Sequence, residues 1–253
     1  SDSWLYYKTW LAPSGEDNGA ILGIGANFGY DYAEKVFDLF SKNVKLPEYT
    51  VTKTERGGTP YRRTPFSFVG DGFVAMGDAA CLTKPFSGEG CTSSMVQADI
   101  VLDVISEAMR DGAYPSRDAL WGINKRYNDT QGADFAGMFS LLINIVRHSI
   151  RANEFFFKHD VIFSKKMLSG LGDGAELTTA EYVKTALWLV FGVISFRVKP
   201  SEIASILRGI KLSGEMSALY REYPATPDGF PEWVMRADAL WRRVGSMADW
   251  KPL

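Results

Sequence analysis

The chain has 253 residues, of which 46% are hydrophobic and 13% are aromatic, so it can build one large domain or two modest ones around a sizeable core. Its net charge of −2 provides no basic stripe, and no nucleic-acid partner is expected. Two cysteines cannot build a disulfide framework, and two histidines form no cluster with metal-ligand spacing, so no metal site is expected either.

The N-terminal region predicts an antiparallel hairpin followed by a helix. Residues 4–12 are rich in aromatic and β-favouring residues, residues 13–19 have turn chemistry, and residues 20–25 resume a strand. Over Tyr30–Val44 the apolar residues recur on one helical face. Two short strands are predicted next, over residues 49–54 and 66–69.

The stretch from Phe73 to Arg110 organises the rest of the chain. Its apolar run Phe73–Met76 is bounded by glycines and predicts a buried strand, which would place the Asp78 carboxylate at the strand's C-terminal edge. A glycine turn follows, and from Cys91 onward apolar residues have helical spacing. A helix that begins after such a turn offers free N–H groups and the positive end of its dipole, which suits an anion.

The residues Gly-Asp-Ala-Ala at 77–80, followed by Pro-x-x-Gly-x-Gly at 85–90, resemble the second flavin-binding motif of the FAD-dependent hydroxylases and reductases that share the p-hydroxybenzoate hydroxylase fold. The resemblance implies that Asp78 binds the ribityl chain of FAD and that the proline and the glycines line the isoalloxazine edge. A strand-turn-helix unit without a ligand remains the alternative. The implied cofactor-binding residues are Gly77, Asp78, Pro85, Gly88, Glu89, Gly90 and Cys91.

The N-terminal hairpin narrows this resemblance. Trp-Leu-Ala-Pro at 10–13 and Gly-Ile-Gly at 23–25 are similar to the Tyr-x-Trp-x-Phe-Pro … Gly-x-Gly signature of geranylgeranyl reductases, although Ala12 stands where that family has Phe. In that family the hairpin lines the isoprenoid pocket. For Trp10, a place in the core and a contact with substrate are both open. The implied substrate contacts are Trp10, Pro13, Gly23 and Gly25.

One part of the flavoprotein pattern is missing. Members of this superfamily open with a strand-glycine-helix unit that carries Gly-x-Gly-x-x-Gly. The glycines of residues 23–29 have one residue too many before the last of them, and they follow two strand-like stretches. The chain is therefore expected to correspond to the C-terminal part of a flavoprotein, and a second chain or an N-terminal half would complete the FAD site.

The expected fold is α+β. An antiparallel sheet and the flavin-motif strand-turn-helix occupy residues 1–112, and a helical domain occupies residues 113–253. Two stretches, Phe135–Ile143 and Ala186–Ile194, are apolar all round and suit a buried core, the wall of an apolar tunnel or a membrane surface. The helices predicted after residue 112 are Arg117–Gln131, Asp134–Ile150, Asn153–Leu168, Thr179–Phe196, Pro200–Lys211, Gly214–Tyr223 and Pro231–Met247.

The length of the apolar runs bears on location. The longest run, Ala186–Phe196, is about half of the roughly 20 residues that a bilayer crossing needs, and no targeting segment is recognised. The expected location is cytoplasmic, with contact to a membrane surface left open.

Together these resemblances imply an FAD-dependent oxidoreductase that reduces carbon–carbon double bonds of a geranylgeranyl-type isoprenoid chain. Its electron donor would be NAD(P)H or a ferredoxin-like protein. One alternative is a flavoprotein remnant that binds a lipid or a partner, and another is an FAD-dependent monooxygenase. No catalytic residue is assigned, since Tyr6, Tyr7 and Cys91 qualify as proton donors by residue type only.

Overall fold

The structure is a computed structural model, and it describes residues 7–15, 18–26, 29–110, 112, 114–161 and 179–245. The chain divides into two compact units at Gly57 and Gly58. The described residues form small antiparallel sheets and a mostly helical C-terminal region, which confirms the predicted fold class. The predicted division at residue 112 stays a prediction.

The first unit contains the predicted hairpin. Strands β1 (Tyr7–Pro13) and β2 (Ala20–Ala26) pair antiparallel, with Trp10 opposite Gly23. The Trp10 ring lies over Gly23, and a Cβ atom at that position would overlap the indole, so the close approach requires glycine. Helix α1 (Tyr30–Asn43) follows as predicted, and Val36 is its buried residue.

The strand predicted over residues 49–54 is wrong. These residues have no regular structure, and all six are exposed. Their β-favouring side chains find no neighbouring strand in the described part of the chain, and without such a neighbour the backbone of a strand has no hydrogen-bond partner.

The second unit begins with a very short hairpin. Strand β3 (Val69–Gly70) pairs antiparallel with β4 (Phe73–Val74). The predicted buried strand over residues 73–76 is therefore wrong in length and in burial, because only its first two residues pair and Phe73 is 61% exposed. A 3-10 turn (Gly77–Ala80) and a loop then lead to helix α2 (Cys91–Ala108), which agrees with the predicted helix.

The C-terminal region is helical, with three departures from the predicted breaks. The break predicted at residues 151–152 lies instead at residues 146–149, since one helix ends at Ile145 and the next begins at Ile150. The break predicted near residue 132 is a π turn (Asn128–Gly132) inside one continuous helical run. The break predicted between Lys211 and Gly214 is absent, since the helix passes through Gly214, for which helix formation costs only about 1 kcal/mol relative to Ala. The helices are α3 (Gly122–Tyr127), α4 (Ala133–Ile145), α5 (Ile150–Lys158), α6 (Thr179–Ile194), α7 (Pro200–Arg221) and α8 (Phe230–Val244).

The helix predicted over Asn153–Leu168 is only partly visible. It corresponds to α5, which ends at Lys158, and the predicted part beyond Val161 lies outside the described residues.

Helices α4 and α7 approach closely through small residues. A Cβ atom on Gly137 would overlap the Ser217 hydroxyl and lie 2.9 Å from the Ser213 carbonyl oxygen. The Ser213 hydroxyl donates to the Gly137 carbonyl at 2.9 Å, and the Ser217 hydroxyl donates to the Ala133 carbonyl at 3.0 Å. Most of α4 is buried, so the first apolar stretch is core, as one of the open alternatives predicted.

An aromatic core anchors the segment before β3 to these helices. The Trp121 ring stacks on Tyr223 at a centroid distance of 5.8 Å and donates its indole N–H to the Pro224 carbonyl at 2.9 Å. The Tyr223 hydroxyl donates to the Phe66 carbonyl at 2.8 Å, and burial raises the pKa of this hydroxyl. The segment that precedes β3 is therefore fixed against the helical region by a buried, fully paired contact.

The second apolar stretch differs from the first. It lies in α6, where Leu187 is 66% and Ile194 is 68% exposed, so a fully buried position for this stretch is excluded. None of the helices in the described ranges combines the length and the hydropathy that crossing a bilayer requires.

Candidate functional site

The start of α2 and the turn that carries Asp78 come together. Gly90 is the N-cap of α2, and a Cβ atom added to it would lie 3.4 Å from the Asp78 carboxylate and 3.7 Å from the Thr83 hydroxyl oxygen. Asp78 itself is exposed. The absent side chain of Gly90 thus leaves a notch of about the size of a methyl group between an exposed carboxylate and a buried hydroxyl, beside the positive end of an 18-residue helix.

The loop between the turn and the helix depends on glycine backbone conformations. Gly77 and Gly88 have φ values of +58° and +77°, which other residues rarely adopt. The Gly88 N–H donates to the Lys84 carbonyl at 3.0 Å, and the Lys84 N–H donates to the Glu89 carbonyl at 2.8 Å. Pro85 is buried inside this closed loop, whereas Glu89 is exposed at its rim.

Gln97 is a site-supporting residue that sequence reasoning missed. Its fully buried side-chain amide accepts a hydrogen bond from the Gly77 N–H at 3.2 Å and donates one to the Ala75 carbonyl at 3.1 Å. One amide therefore fixes the chain on both sides of Met76 against α2. The available signal was a polar residue among the apolar residues of the inward helical face.

Two buried hydroxyls near the start of α2 have no hydrogen-bond partner among the described residues. They are those of Thr83, which is only 6% exposed, and of Ser93, which is fully buried. Buried polar groups are nearly always hydrogen-bonded, so each of these two hydroxyls lacks a partner that a bound polar group would supply. The hydroxyl oxygen of Thr83 is buried, so a ligand reaches it only if neighbouring side chains move.

The cysteines and arginines near the motif have different surroundings. Burial raises the pKa of the Cys81 thiol, whereas Cys91 is exposed. Its position in the first turn of α2 points it outward. The Arg63 guanidinium lies 4.0 Å from the centre of the Phe66 ring, and Arg62 is exposed. Both remain compatible with solvated positions at the edge of the site.

The residues implied as substrate contacts share one hairpin. Trp10, Gly23 and Gly25 lie on facing strands, and Pro13 is the exposed last residue of β1. Trp10 is itself exposed, so a place in the core is excluded for it. Of the residues considered as proton donors, Tyr6 and the side chain of Tyr7 lie outside the described residues. The cofactor and substrate roles stay predictions.

Comparison with known proteins gives one relevant likeness. No family model matches the chain. The chain is 24% identical, over 237 residues, to the digeranylgeranylglycerophospholipid reductase of Sulfolobus acidocaldarius, and the match covers 90% of this chain and 50% of that protein. The chain thus spans about half the length of the curated relative it matches. This distant likeness agrees with the resemblance of the hairpin and the central motif to geranylgeranyl reductases.

Proposed function

We propose that this chain forms part of an FAD-dependent oxidoreductase that reduces carbon–carbon double bonds in an isoprenoid lipid chain. The observation that supports it most is that the exposed Asp78 carboxylate lies beside Gly90, where helix α2 begins. The distant likeness to a lipid reductase supports the reaction class.

In this proposal the chain's own residues bind and orient the cofactor. Asp78 accepts hydrogen bonds from ribityl hydroxyls, Thr83 supplies a hydroxyl, and the N–H groups at the start of α2 face negative charge. Gly90 admits the ligand because it has no side chain. Bound FAD supplies the hydride chemistry that no amino-acid side chain offers. Gln97 keeps the Asp78 turn in a fixed position relative to α2, which preorganises the site.

The substrate and the partners follow from the same proposal. The exposed Trp10 indole offers an apolar face to an isoprenoid chain, and NAD(P)H or a ferredoxin-like protein delivers electrons. A second chain or an N-terminal half completes the FAD site. We expect it to cover the exposed Met95 and Leu102 side chains, which lie seven residues apart on one face of α2.

The proposal is tested first by flavin binding. Titration of FAD fluorescence, with the chain alone and with its completing half, should show saturable binding. Asp78→Ala should weaken binding by about 1–3 kcal/mol, which is a roughly five- to 150-fold rise in Kd. Asp103→Ala, which removes an exposed carboxylate further along α2, is the matched control and should bind normally. Equal affinity of the Asp78 variant and the wild type would contradict the assigned role.

The second step separates the alternatives. A flavin-loaded protein incubated with a reductant and a prenyl lipid should yield a product heavier by pairs of hydrogen atoms. A product heavier by oxygen would favour the monooxygenase. A protein that stays colourless even with its completing half, yet binds prenyl lipid, would favour the remnant that serves as a lipid-binding module.

A further inference from the structure

Helix α6 turns an apolar face to the solvent. Surface helices of globular proteins normally carry polar residues on the outward side. Here only one outward residue between positions 184 and 194 is charged, and the others are apolar. The exposed residues of this segment are Lys184, Ala186, Leu187, Val190, Phe191 and Ile194.

The inward side of α6 is already occupied, so the outward face cannot be buried by rotating the helix. Trp188 and Leu189 pack against the apolar cluster around Phe155. Gly192 is buried, and a Cβ atom on it would lie 2.8 Å from the Phe155 ring. The outward apolar residues are therefore additional to those with which α6 packs against the core.

The turn after α6 extends this face. Phe196 is 85% exposed, and its φ of +56° places a bulky residue in the left-handed region where glycine is usual at helix ends. The Arg197 N–H and the Val198 N–H both donate to the Gly192 carbonyl, at 2.9 and 3.0 Å, and hold this turn in place. An aromatic ring is thus held in solvent by a strained backbone.

Cations outnumber carboxylates around this face. Residues 184–201 contain three cations and no carboxylate. Glu202 lies just beyond this range, and its carboxylate accepts hydrogen bonds from the Ser149 and Lys199 N–H groups. The charges of Lys158 and Arg197 both lower the pKa of His159, after burial, which is the larger cause, and Asp160 acts in the opposite direction. The His159 ring stacks on Trp188 at 3.8 Å, so these cations lie close to the second half of α6 and the turn after it.

We propose that α6 lies on the surface of an anionic lipid bilayer, with its outward apolar residues at the headgroup boundary and its cations against lipid phosphates. Charge complementarity selects this partner. A second copy docked through the same face would bring like cations together. The described helices are not suited to crossing the bilayer, and interfacial helices combine an apolar face with flanking Lys and Arg. The inference rests on α6, the turn after it and the cations beside them, and does not depend on the proposed enzymatic reaction.

Vesicle co-sedimentation of the whole chain tests the proposal. The wild type should bind vesicles of phosphatidylcholine mixed with phosphatidylglycerol, bind pure phosphatidylcholine less, and release at high salt. The triple variant Leu187→Ser/Val190→Ser/Ile194→Ser should reduce the partition coefficient at least about tenfold. Met235→Ser, which changes a residue 67% exposed on α8, is the control and should bind like the wild type.

Two further variants keep the test decisive. Phe196→Ser alters one exposed side chain, leaves the core contacts of α6 intact, and should also lower the partition coefficient. Arg197→Ala/Lys199→Ala should weaken binding to the anionic vesicles roughly thirtyfold, while Arg242→Ala on α8 should leave it unchanged. Melting temperatures verify that each variant is folded.

Three outcomes would overturn the proposal. Folded wild-type protein could fail to bind either kind of vesicle, or the serine variants could bind as tightly as the wild type. Sedimentation velocity could instead show a wild-type dimer that the serine variants dissociate, which would assign the face to a second copy of the chain.

Discussion

His148 is a buried histidine whose two ring nitrogens have no hydrogen-bond partner among the described residues. Its ring meets Phe156 edge-on at 5.9 Å. Burial lowers the pKa of His148, and the nearby Glu202 carboxylate only partly opposes this shift. The folded protein therefore favours the neutral imidazole.

This arrangement predicts a pH dependence of stability. An unfolded histidine binds a proton near pH 6.5, whereas folded His148 does so only at lower pH, so the free energy of unfolding falls as the pH drops below about 6.5. Between about pH 7.5 and 5.5, the free energy of unfolding should fall by roughly 1 kcal/mol more in the wild type than in the His148→Leu variant. Urea unfolding of both proteins at both pH values measures this difference. His159 is present in both proteins, so its contribution cancels. Parallel losses in variant and wild type would contradict the prediction.

Glu202 affects the stability of the fold at lower pH than His148 does. It accepts hydrogen bonds from the Ser149 N–H at 3.0 Å and from the Lys199 N–H at 2.8 Å, so one carboxylate serves the starts of α5 and α7. Burial raises its pKa, but these bonds, together with that from the Ser149 hydroxyl, outweigh burial and place the pKa below the ordinary 4.5. Its stabilisation is present above about pH 4.5 and is lost as the pH falls through the folded pKa.

For single residues, those of the flavin-like motif could be predicted from the sequence, whereas the buried residues that surround them could not. The resemblance to a flavin-binding motif implied a common site for Asp78 and Gly90, and the structure places their atoms as neighbours. Gln97 and Thr83 gave no sequence signal of comparable strength. A buried amide or hydroxyl acquires its role from partners fixed by tertiary structure, such as the Ala75 carbonyl that Gln97 reaches.

The contact between α4 and α7 shows how small residues set the distance between two elements. Both helices are continuous where they meet, and serine hydroxyls on α7 donate to backbone carbonyls on α4. Such a contact has no room for an added methyl group on the facing glycine. Because protein interiors are densely packed, an added methyl group there forces its neighbours to shift, and this costs free energy.

A pair of glycine substitutions tests this contact. Gly137→Ala should lower the free energy of unfolding by about 1–3 kcal/mol, because the added methyl group meets Ser217 and the Ser213 carbonyl. Gly214→Ala, on the same α7 but with no atom within 4 Å of the added Cβ, should raise it by up to about 1 kcal/mol. Chemical unfolding of both variants provides the comparison. Equal effects would show that the close approach is not limiting.

Periodicity predicted the long elements and failed at short ones. The regular apolar spacing in α1, α2 and α8 located these helices to within a few residues. Residues 49–54 had the composition of a strand but no neighbour with which to pair. Gly132 and Gly214 indicated helix ends, yet neighbouring helical turns continue through both positions, because tertiary packing outweighs the modest local cost of glycine.

At the scale of the whole molecule, the two units differ in their own stability. Among the described residues of the first unit, Val36 is the buried hydrophobic one, and the hairpin has only two strands. Two-stranded sheets are marginally stable at best in water. The second unit contains both apolar clusters and the paired aromatic core.

Separate expression of the two units tests this difference. A fragment of residues 58–253 should melt cooperatively, within a few degrees of the whole chain, because it retains both clusters. A peptide of residues 1–57 should show no cooperative transition by circular dichroism. An unfolded 58–253 fragment would show that the first unit contributes to the core.

The π turn at Asn128–Gly132 sets the phase of the long helical run. An extra residue in one turn rotates the following side chains about the helix axis by roughly 100° relative to an unbroken α-helix. Before the turn, Asn124 accepts a hydrogen bond from the Phe68 N–H at 2.8 Å, and after it Gly137 meets the serines of α7. The continuous helical run thus contacts two neighbours on different sides. A homologue that lacked the extra residue would have to give up one of these two alignments.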